Sequence, residues 1–253
     1  MDLQLAERSA LVTGAASGIG RAVACALAAE GMRVGLLDRD AGGLSETARL
    51  VRTAGGECVV ASVDVTDEGQ VDAAVGTVVA AFGELHTVVC CAGISGPVGS
   101  GIEQTSRDAW DAVFAVNVTG AFLVLRAALP ALRAAPEASV VLLTSDSATV
   151  ASPGMTAYCA SKAALAQFGR ALSVDLAPDG IRVVHVAPSV VDTPMSRGDL
   201  GADDGFGSAD FPVQTPAEVA AHVAYLASPR ARAITGTGLI SDFGYSARSG
   251  FPA

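Results

Sequence analysis

Tyr158 and Lys162 stand four residues apart in Tyr158-Cys159-Ala160-Ser161-Lys162, a spacing that puts both side chains on one face of a helix, about one turn apart. A tyrosine with its ordinary pKa near ~10 is a poor base at neutral pH. An adjacent ammonium stabilises the phenolate and lowers that value, so the pair can exchange a proton with a hydroxyl or carbonyl oxygen. The spacing alone arises by chance in many helices, and its surroundings give it meaning. Ser145 lies thirteen residues before Tyr158, at the end of an apolar run, and its hydroxyl can hydrogen-bond an oxygen on which charge develops. Ser147 and Thr144 compete with it for that position.

A second constellation lies near the N-terminus. The run Ala10 to Thr13 leads directly into Gly14-Ala15-Ala16-Ser17-Gly18-Ile19-Gly20 and then into a helical pattern. Glycines at such a strand-to-helix turn let the backbone approach a pyrophosphate, and the unpaired N–H groups and dipole of the helix favour the anion. Asp38 closes the next apolar run, 18 residues beyond Gly20, where a carboxylate can accept hydrogen bonds from both ribose hydroxyls of an adenosine. The alternative is a turn-forming acid at a strand end. Under the first reading the negative charge repels a 2′-phosphate and selects NAD over NADP, with Arg39 as the residue that could offset the repulsion. Asp64-Val65 has the same choice between turn former and adenine contact.

The elements that must position these groups follow a βα rhythm. Short β-branched runs alternate with Ala-rich stretches of helical periodicity, which predicts a parallel sheet covered on both faces. The predicted strands are Ala10 to Thr13, Arg33 to Asp38, Cys58 to Val63, Thr87 to Cys91, Ser139 to Thr144, Ile181 to Val186 and Gly238 to Asp242. Helices are predicted over Ile19 to Glu30, Ala41 to Ala54, Asp67 to Phe82, around Arg107 to Arg133, Thr156 to Ala177, and Pro216 to Ala227. Met195 to Gln214 is rich in Gly and Asp with little periodicity and reads as a mobile loop over the substrate. A single domain over residues 1–253 of doubly wound α/β, Rossmann architecture follows, with about seven strands.

The Gly-x-x-x-Gly-x-Gly spacing together with the Tyr/Lys pair resembles the short-chain dehydrogenase/reductase family over essentially the whole chain. The resemblance implies an enzyme transferring a hydride between NAD and a secondary alcohol or ketone. It implies catalytic roles for Ser145, Tyr158, Lys162 and Asn117, the asparagine holding a water that passes protons to the lysine; a helix kink is the alternative for Asn117. It further implies cofactor contacts from Gly14, Ser17, Gly18, Ile19, Gly20, Asp38, Asp64, Val65, Cys91, Ala92, Gly93, Tyr158, Lys162, Pro188, Val191 and Thr193. Three places depart from the family pattern. Asn-Asn-Ala-Gly is replaced by Cys90-Cys91-Ala92-Gly93, Pro-Gly by Pro188-Ser189, and a common glycine after the last strand by Phe243.

Bulk properties narrow the partners. The 51% hydrophobic and 5% aromatic composition supplies a large core of small side chains. A net charge of −10 without a Lys/Arg cluster argues against nucleic acid. No uninterrupted apolar run reaches the roughly 18 residues of a membrane span, and no leader precedes the first strand. Five scattered cysteines lack zinc spacing, so no metal is expected, and they read as reduced thiols of a cytoplasmic protein. Family resemblance implies a homo-oligomer, dimer or tetramer.

The segment after Thr193 carries Asp199, Asp203, Asp204 and Asp210 against Arg197 alone, which disfavours an anionic substrate. Thr144 to Ala148 and Gly154 to Tyr158 also resemble bacterial dehydrogenases of ring dihydrodiols. Asp146 is therefore either structural or a partner for a second hydroxyl. A small cyclic alcohol or diol is the expected substrate. The alternatives are an NADPH-dependent ketoreductase of the 3-oxoacyl type and a non-catalytic nucleotide-binding homologue.

Overall fold

The computed structural model describes residues 1–248. Seven parallel strands form one sheet in the order β3-β2-β1-β4-β5-β6-β7, with β1 Ser9–Thr13, β2 Arg33–Asp38, β3 Cys58–Ser62, β4 Thr87–Cys90, β5 Ser139–Leu143, β6 Arg182–Pro188 and β7 Thr237–Ser241. The strand order reverses between β1 and β4. In open α/β sheets such a switch point opens a crevice at the carboxyl ends of the strands. The central strands β1, β4, β5 and β6 are buried on both faces, as their unbroken apolar runs require. The edge strands differ: β3 and β7 expose residues along their length. The last four predicted strands each end one or two residues away from where pairing stops. Strand β6 runs two residues past its prediction, because Pro188 still pairs with Ser241.

Among the described residues there are eight α-helices: α1 Gly18–Ala29, α2 Ala41–Thr53, α3 Glu68–Phe82, α4 Arg107–Phe114, α5 Ala121–Ala134, α6 Thr156–Asp175, α7 Pro194–Leu200 and α8 Pro216–Ala227. On one face α1, α2 and α8 bury Val23, Leu27, Leu44, Val219 and Val223, α1 and α2 over β1 and β2 and α8 over β5 and β6. On the other, α3, α5 and α6 bury Val71, Val78, Val124, Leu132 and Leu165. The helix starts are written locally. Asp40 accepts from the N–H groups of Gly42 and Gly43, Asp67 from that of Gln70, and Thr215 forms a capping box with Glu218 ahead of Pro216.

Two expectations are corrected. The long helix around Arg107 to Arg133 is not uniform: Ala115–Gly120 form a π-helical turn between α4 and α5. Such a turn inserts one residue into the helical ladder without changing the apolar pattern, so periodicity does not reveal it. The 28-residue stretch Arg107–Ala134 is long and apolar enough to cross a bilayer by length and composition, yet it lies along the sheet with Val113, Val124 and Ala128 buried. The supposed loop from Met195 begins inside a helix, α7. Thr193 and Ser196 form its capping box, Pro194 opens it, and Gly201 at φ 62° ends it.

Phe243, where the family carries glycine, adopts φ 55° just after β7. A side chain in that left-handed region costs roughly 1–2 kcal/mol, and Phe243 is half exposed, so burial returns little. Phe243→Gly is expected to raise the urea unfolding free energy by about 0.5–1 kcal/mol, read as a higher midpoint at unchanged slope.

Candidate active site

The switch-point crevice is lined at one end by the turn after β1. Gly14 at φ 67° and Gly18 at φ 52° both need the left-handed region that glycine tolerates. A Cβ on Gly14 would lie 2.8 Å from the Ala92 nitrogen, and one on Gly20 would lie 2.1 Å from the Gly14 carbonyl oxygen. The turn is held from behind. Thr47 donates to the Ala15 carbonyl at 2.8 Å, Arg21 donates to the Ala16 carbonyl, and the Ala16 N–H donates to an Asp38 oxygen at 3.1 Å. Ser17 precedes α1 but makes no side-chain cap, unlike Asp40 and Asp67 at the next two helices. The first N–H groups of α1 therefore face the crevice without a protein acceptor supplied by the N-cap, which is the chemistry that receives a phosphate.

Gly14, Ser17, Gly18, Ile19, Gly20, Asp38, Asp64, Val65, Cys91, Ala92, Gly93 and Thr193 all line this crevice. The other expected cofactor contacts, Tyr158, Lys162, Pro188 and Val191, do not; Pro188 is buried in the β6 ladder and Val191 is buried and bridged to Gln214. Met195, Pro194, Ile94 and Val116 line it without having been expected. The first two belong to α7, whose short apolar contribution was masked by the acidic residues after it. Arg39 lines it beside Asp38.

Behind Gly93, which lines the crevice, α6 carries Tyr158 and Lys162. The lysine nitrogen lies 5.5 Å from the centre of the Tyr158 ring and donates to the Leu143 carbonyl at 2.8 Å, at the carboxyl end of β5. Ser145, two residues further, opens a 3-10 turn over Asp146–Ala148. Its hydroxyl accepts from the Ser147 N–H at 3.1 Å and donates to Asp146 Oδ1 at 2.9 Å. Asn117 sits in the π-helical turn, 1% exposed. Its amide donates to the Ile94 carbonyl at 3.0 Å and to Ser161 Oγ at 2.9 Å, and its oxygen accepts from the Ile94 N–H at 2.8 Å. The residue thus ties the segment after β4 to α6. Gly93 is the close neighbour of both polar groups: a Cβ there would lie 3.3 Å from Asn117 Oδ1 and 3.6 Å from Lys162 Nζ.

Cys91 occupies the place of a family asparagine. Burial pushes its thiol well above the ordinary range, so it stays protonated beside the lysine. The loop keeps a link to the sheet by another route, since the N–H groups of Cys91 and Ala92 both donate to Thr13 Oγ1, at 3.2 and 3.1 Å. Ser189 continues the β6 ladder by donating its N–H to the Ser241 carbonyl at 3.0 Å.

The electrostatics of the pair follow from burial. Desolvation pushes the Tyr158 phenol up to about 12; the Ser145 hydroxyl opposes this, while the carboxylates of Asp146 and Asp199 add to it. Desolvation pulls Lys162 from 10.5 down to about 8. The tyrosine alone is thus poorly disposed to ionise, and a further positive charge in the crevice is what lowers it. The oxidised nicotinamide of a dinucleotide held by the glycine turn would supply that charge as well as the hydride acceptor.

Residues 14–246 match a family model described as "Enoyl-(Acyl carrier protein) reductase". The chain is 38% identical to the cis-4-hydroxycyclohexanecarboxylate dehydrogenase of Sinomonas cyclohexanicum, over 96% of this chain and 98% of that one. It is 35% identical to the cyclopentanol dehydrogenase of a Comamonas species, over 95% and 98%. A short-chain dehydrogenase from Mycobacterium paratuberculosis solved bound to NAD superposes with a TM-score of 0.87 at 30% identity, covering 97% of this chain and all of that one. The chain belongs to the short-chain dehydrogenase/reductase family. It is an oxidoreductase that moves a hydride between a nicotinamide cofactor and a secondary alcohol or its ketone.

The buried lysine has a measurable consequence. Its folded pKa lies below its unfolded value, so the unfolded chain binds more protons between about pH 8 and 10.5, and stability rises with pH across that window. Lys162→Met removes the term. Its unfolding free energy relative to wild type is expected to fall by on the order of 3 kcal/mol between pH 7 and pH 10.5, read by urea denaturation of the cofactor-free proteins. A flat difference would mean that the ammonium is well solvated.

Proposed function

We propose that the protein is an NAD-dependent dehydrogenase of a small, neutral, cyclic secondary alcohol. The observation that carries the cofactor choice is Asp38. One of its carboxylate oxygens receives the Ala16 N–H and the other the Asp40 N–H at 3.0 Å, which fixes the group at the end of β2, on the crevice wall. Spare lone pairs remain for ribose hydroxyls, and a 2′-phosphate would meet a fixed negative charge. Arg39 on the same wall supports the second reading, NADP.

In this reading Tyr158 takes the proton of the substrate hydroxyl, Lys162 favours the phenolate through its charge, and Ser145 orients the reacting oxygen. Asn117 and Gly93 keep the space around the lysine open and fixed. The glycine turn and the start of α1 hold the pyrophosphate, Asp64 and Val65 the adenine, and Thr193 the carboxamide, with Pro188 and Val191 supporting that end from behind.

The substrate end favours neutral molecules. Asp146 and Asp199 both bear on the Tyr158 phenol, and Arg197, the lone base of α7, is bound to Asp192 through two contacts at 2.6 and 3.0 Å. A carboxylate such as that named for the Sinomonas relative would meet two like charges here. Residues 195–214 would act as the mobile cover of this end. The exposed apolar side chains of Leu239, Ile240 and Tyr245 along and after the edge strand support a homo-oligomer, and the free thiols support a cytoplasmic setting.

Fluorescence titration with NADH and NADPH tests the cofactor assignment. NADH is expected to bind at least ~10-fold more tightly, and Asp38→Ala to reduce that ratio several-fold by admitting the phosphate. Tighter NADPH binding by the wild type would transfer the assignment to Arg39.

A further inference from the structure

A single side-chain bond ties α7 to the body of the protein. The chain makes an excursion between β6 and α8, and none of residues 192–213 is buried. Among the described residues, the bond from Ser95 Oγ to Asp199 Oδ1, at 2.8 Å, is the one hydrogen bond that joins residues 193–213 to anything outside 190–214. No ion pair adds to it there, since Arg197 pairs with Asp192 at the foot of the same excursion.

The two feet are fixed. The Asp192 N–H donates to the Gln214 carbonyl at 2.8 Å and the Gln214 N–H to the Val190 carbonyl at 2.9 Å. The buried Gln214 side chain donates in turn to Ser241 Oγ at the end of β7. Above the feet, the capping box of Thr193 and Ser196 and the paired contacts of Arg197 with Asp192 stiffen the start of α7. A stiff element on two fixed feet moves as one body, with the change in φ and ψ absorbed at its ends.

The other partner of the bond stands on firm ground. Ser95 follows Ile94, whose N–H and carbonyl are both held by the Asn117 side chain, at 2.8 and 3.0 Å. Between these anchors α7 forms a wall of the crevice. Thr193, Pro194 and Met195 line it, and Thr193 closes on the glycine turn, where a Cβ on Gly18 would lie 3.3 Å from Thr193 Cγ2. A dinucleotide in this crevice is thus enclosed on one side by a helix secured at one point.

We propose that Ser95 and Asp199 are positioning residues that latch α7 against the loop after β4, so that the dinucleotide leaves when their hydrogen bond breaks and the helix swings out on its feet. The inference deepens the reading of residues 195–214 as a cover, and it holds for either nicotinamide dinucleotide. The acceptor is a carboxylate, and bonds to charged acceptors are among the stronger ones. Because the excursion buries no residue, losing the bond raises the population of the open lid without loosening the core.

The test pairs two rates. Release is measured by chasing bound NADH, or NADPH if that binds more tightly, with excess oxidised cofactor in stopped-flow fluorescence. Lid opening is measured on the cofactor-free protein by chymotrypsin cleavage after Phe206, which lies within the excursion, with the fragments identified by mass. Ser95→Ala is expected to raise both rates at least ~5-fold at an unchanged urea midpoint. Ser95→Thr, which keeps the hydroxyl, should stay near wild type. The double variant Ser95→Ala/Asp199→Ala should be no faster than Ser95→Ala alone, as a shared contact requires. Independent, multiplying effects of the two substitutions overturn the pairing, and a lowered urea midpoint with faster cleavage throughout the chain overturns the latch in favour of a general loss of stability. Unchanged cleavage and release in Ser95→Ala, with the cofactor still bound, overturn the latch but leave the dehydrogenase reading standing. Faster cleavage with unchanged release overturns the gate and the cover reading together.

Discussion

A primary ammonium buried without a carboxylate partner is the constraint around which this structure is arranged. Lys162 is 6% exposed and, among the described residues, is held by a single carbonyl, that of Leu143 at the end of β5. Such a group survives in a low-dielectric interior only when dipoles point at it and nothing bulky separates it from the crevice. Both conditions trace to particular residues. Gly93 contributes no side chain where one would press on Lys162 and Asn117, and Cys91 brings a protonated thiol rather than a second cation. The π-helical turn places Asn117 deep enough to bind Ile94 and Ser161 at once. The lysine is therefore a local liability to the fold and the source of the positive potential that the tyrosine needs.

The two ends of the crevice are built on one principle. Parallel strands deliver their carboxyl ends to a common edge, so the turn after β1, the acid after β2, the loop after β4 and the serine after β5 arrive side by side although they are far apart in sequence. The departures from the family pattern are tolerated because backbone groups, not the altered side chains, carry the contacts. Thr13 secures the loop through the N–H groups of Cys91 and Ala92, and Ser189 pairs through its main chain. Phe243 is the exception, since its conformation is one that an ordinary side chain resists.

The glycine turn, Asp38 and the Tyr158/Lys162 spacing were legible in the sequence because each is a local pattern joined to a strong alternation of apolar runs. The strand order was not read from it, and strand ends shifted where pairing partners rather than composition decide them, as at Pro188. The π-helical turn escaped because a one-residue slip in the ladder leaves the apolar stripe intact. Helix α7 escaped because a seven-residue helix is too short to show a period, although Thr193-Pro194 at its start and Gly201 at its end were present as cap signals. Pro188 and Val191 were carried over by resemblance and lie behind the crevice wall instead of on it. The orientation of the Ser145 hydroxyl toward Asp146 is a rotamer choice, and no spacing rule encodes it.

The missing cap at α1 reaches beyond the site. Most helices here close their own first turn with a side chain, while α1, like α6, does not, and the start of α1 lies on the crevice wall. A phosphate group on that helix would supply the acceptors that Ser17 does not, and its free energy of binding would add to the stability of the native state. By mass action, a cofactor at a hundred times its dissociation constant adds about 2.7 kcal/mol to the native state. The resistance of the chain to proteases and heat would then rise with the supply of the dinucleotide that this helix receives.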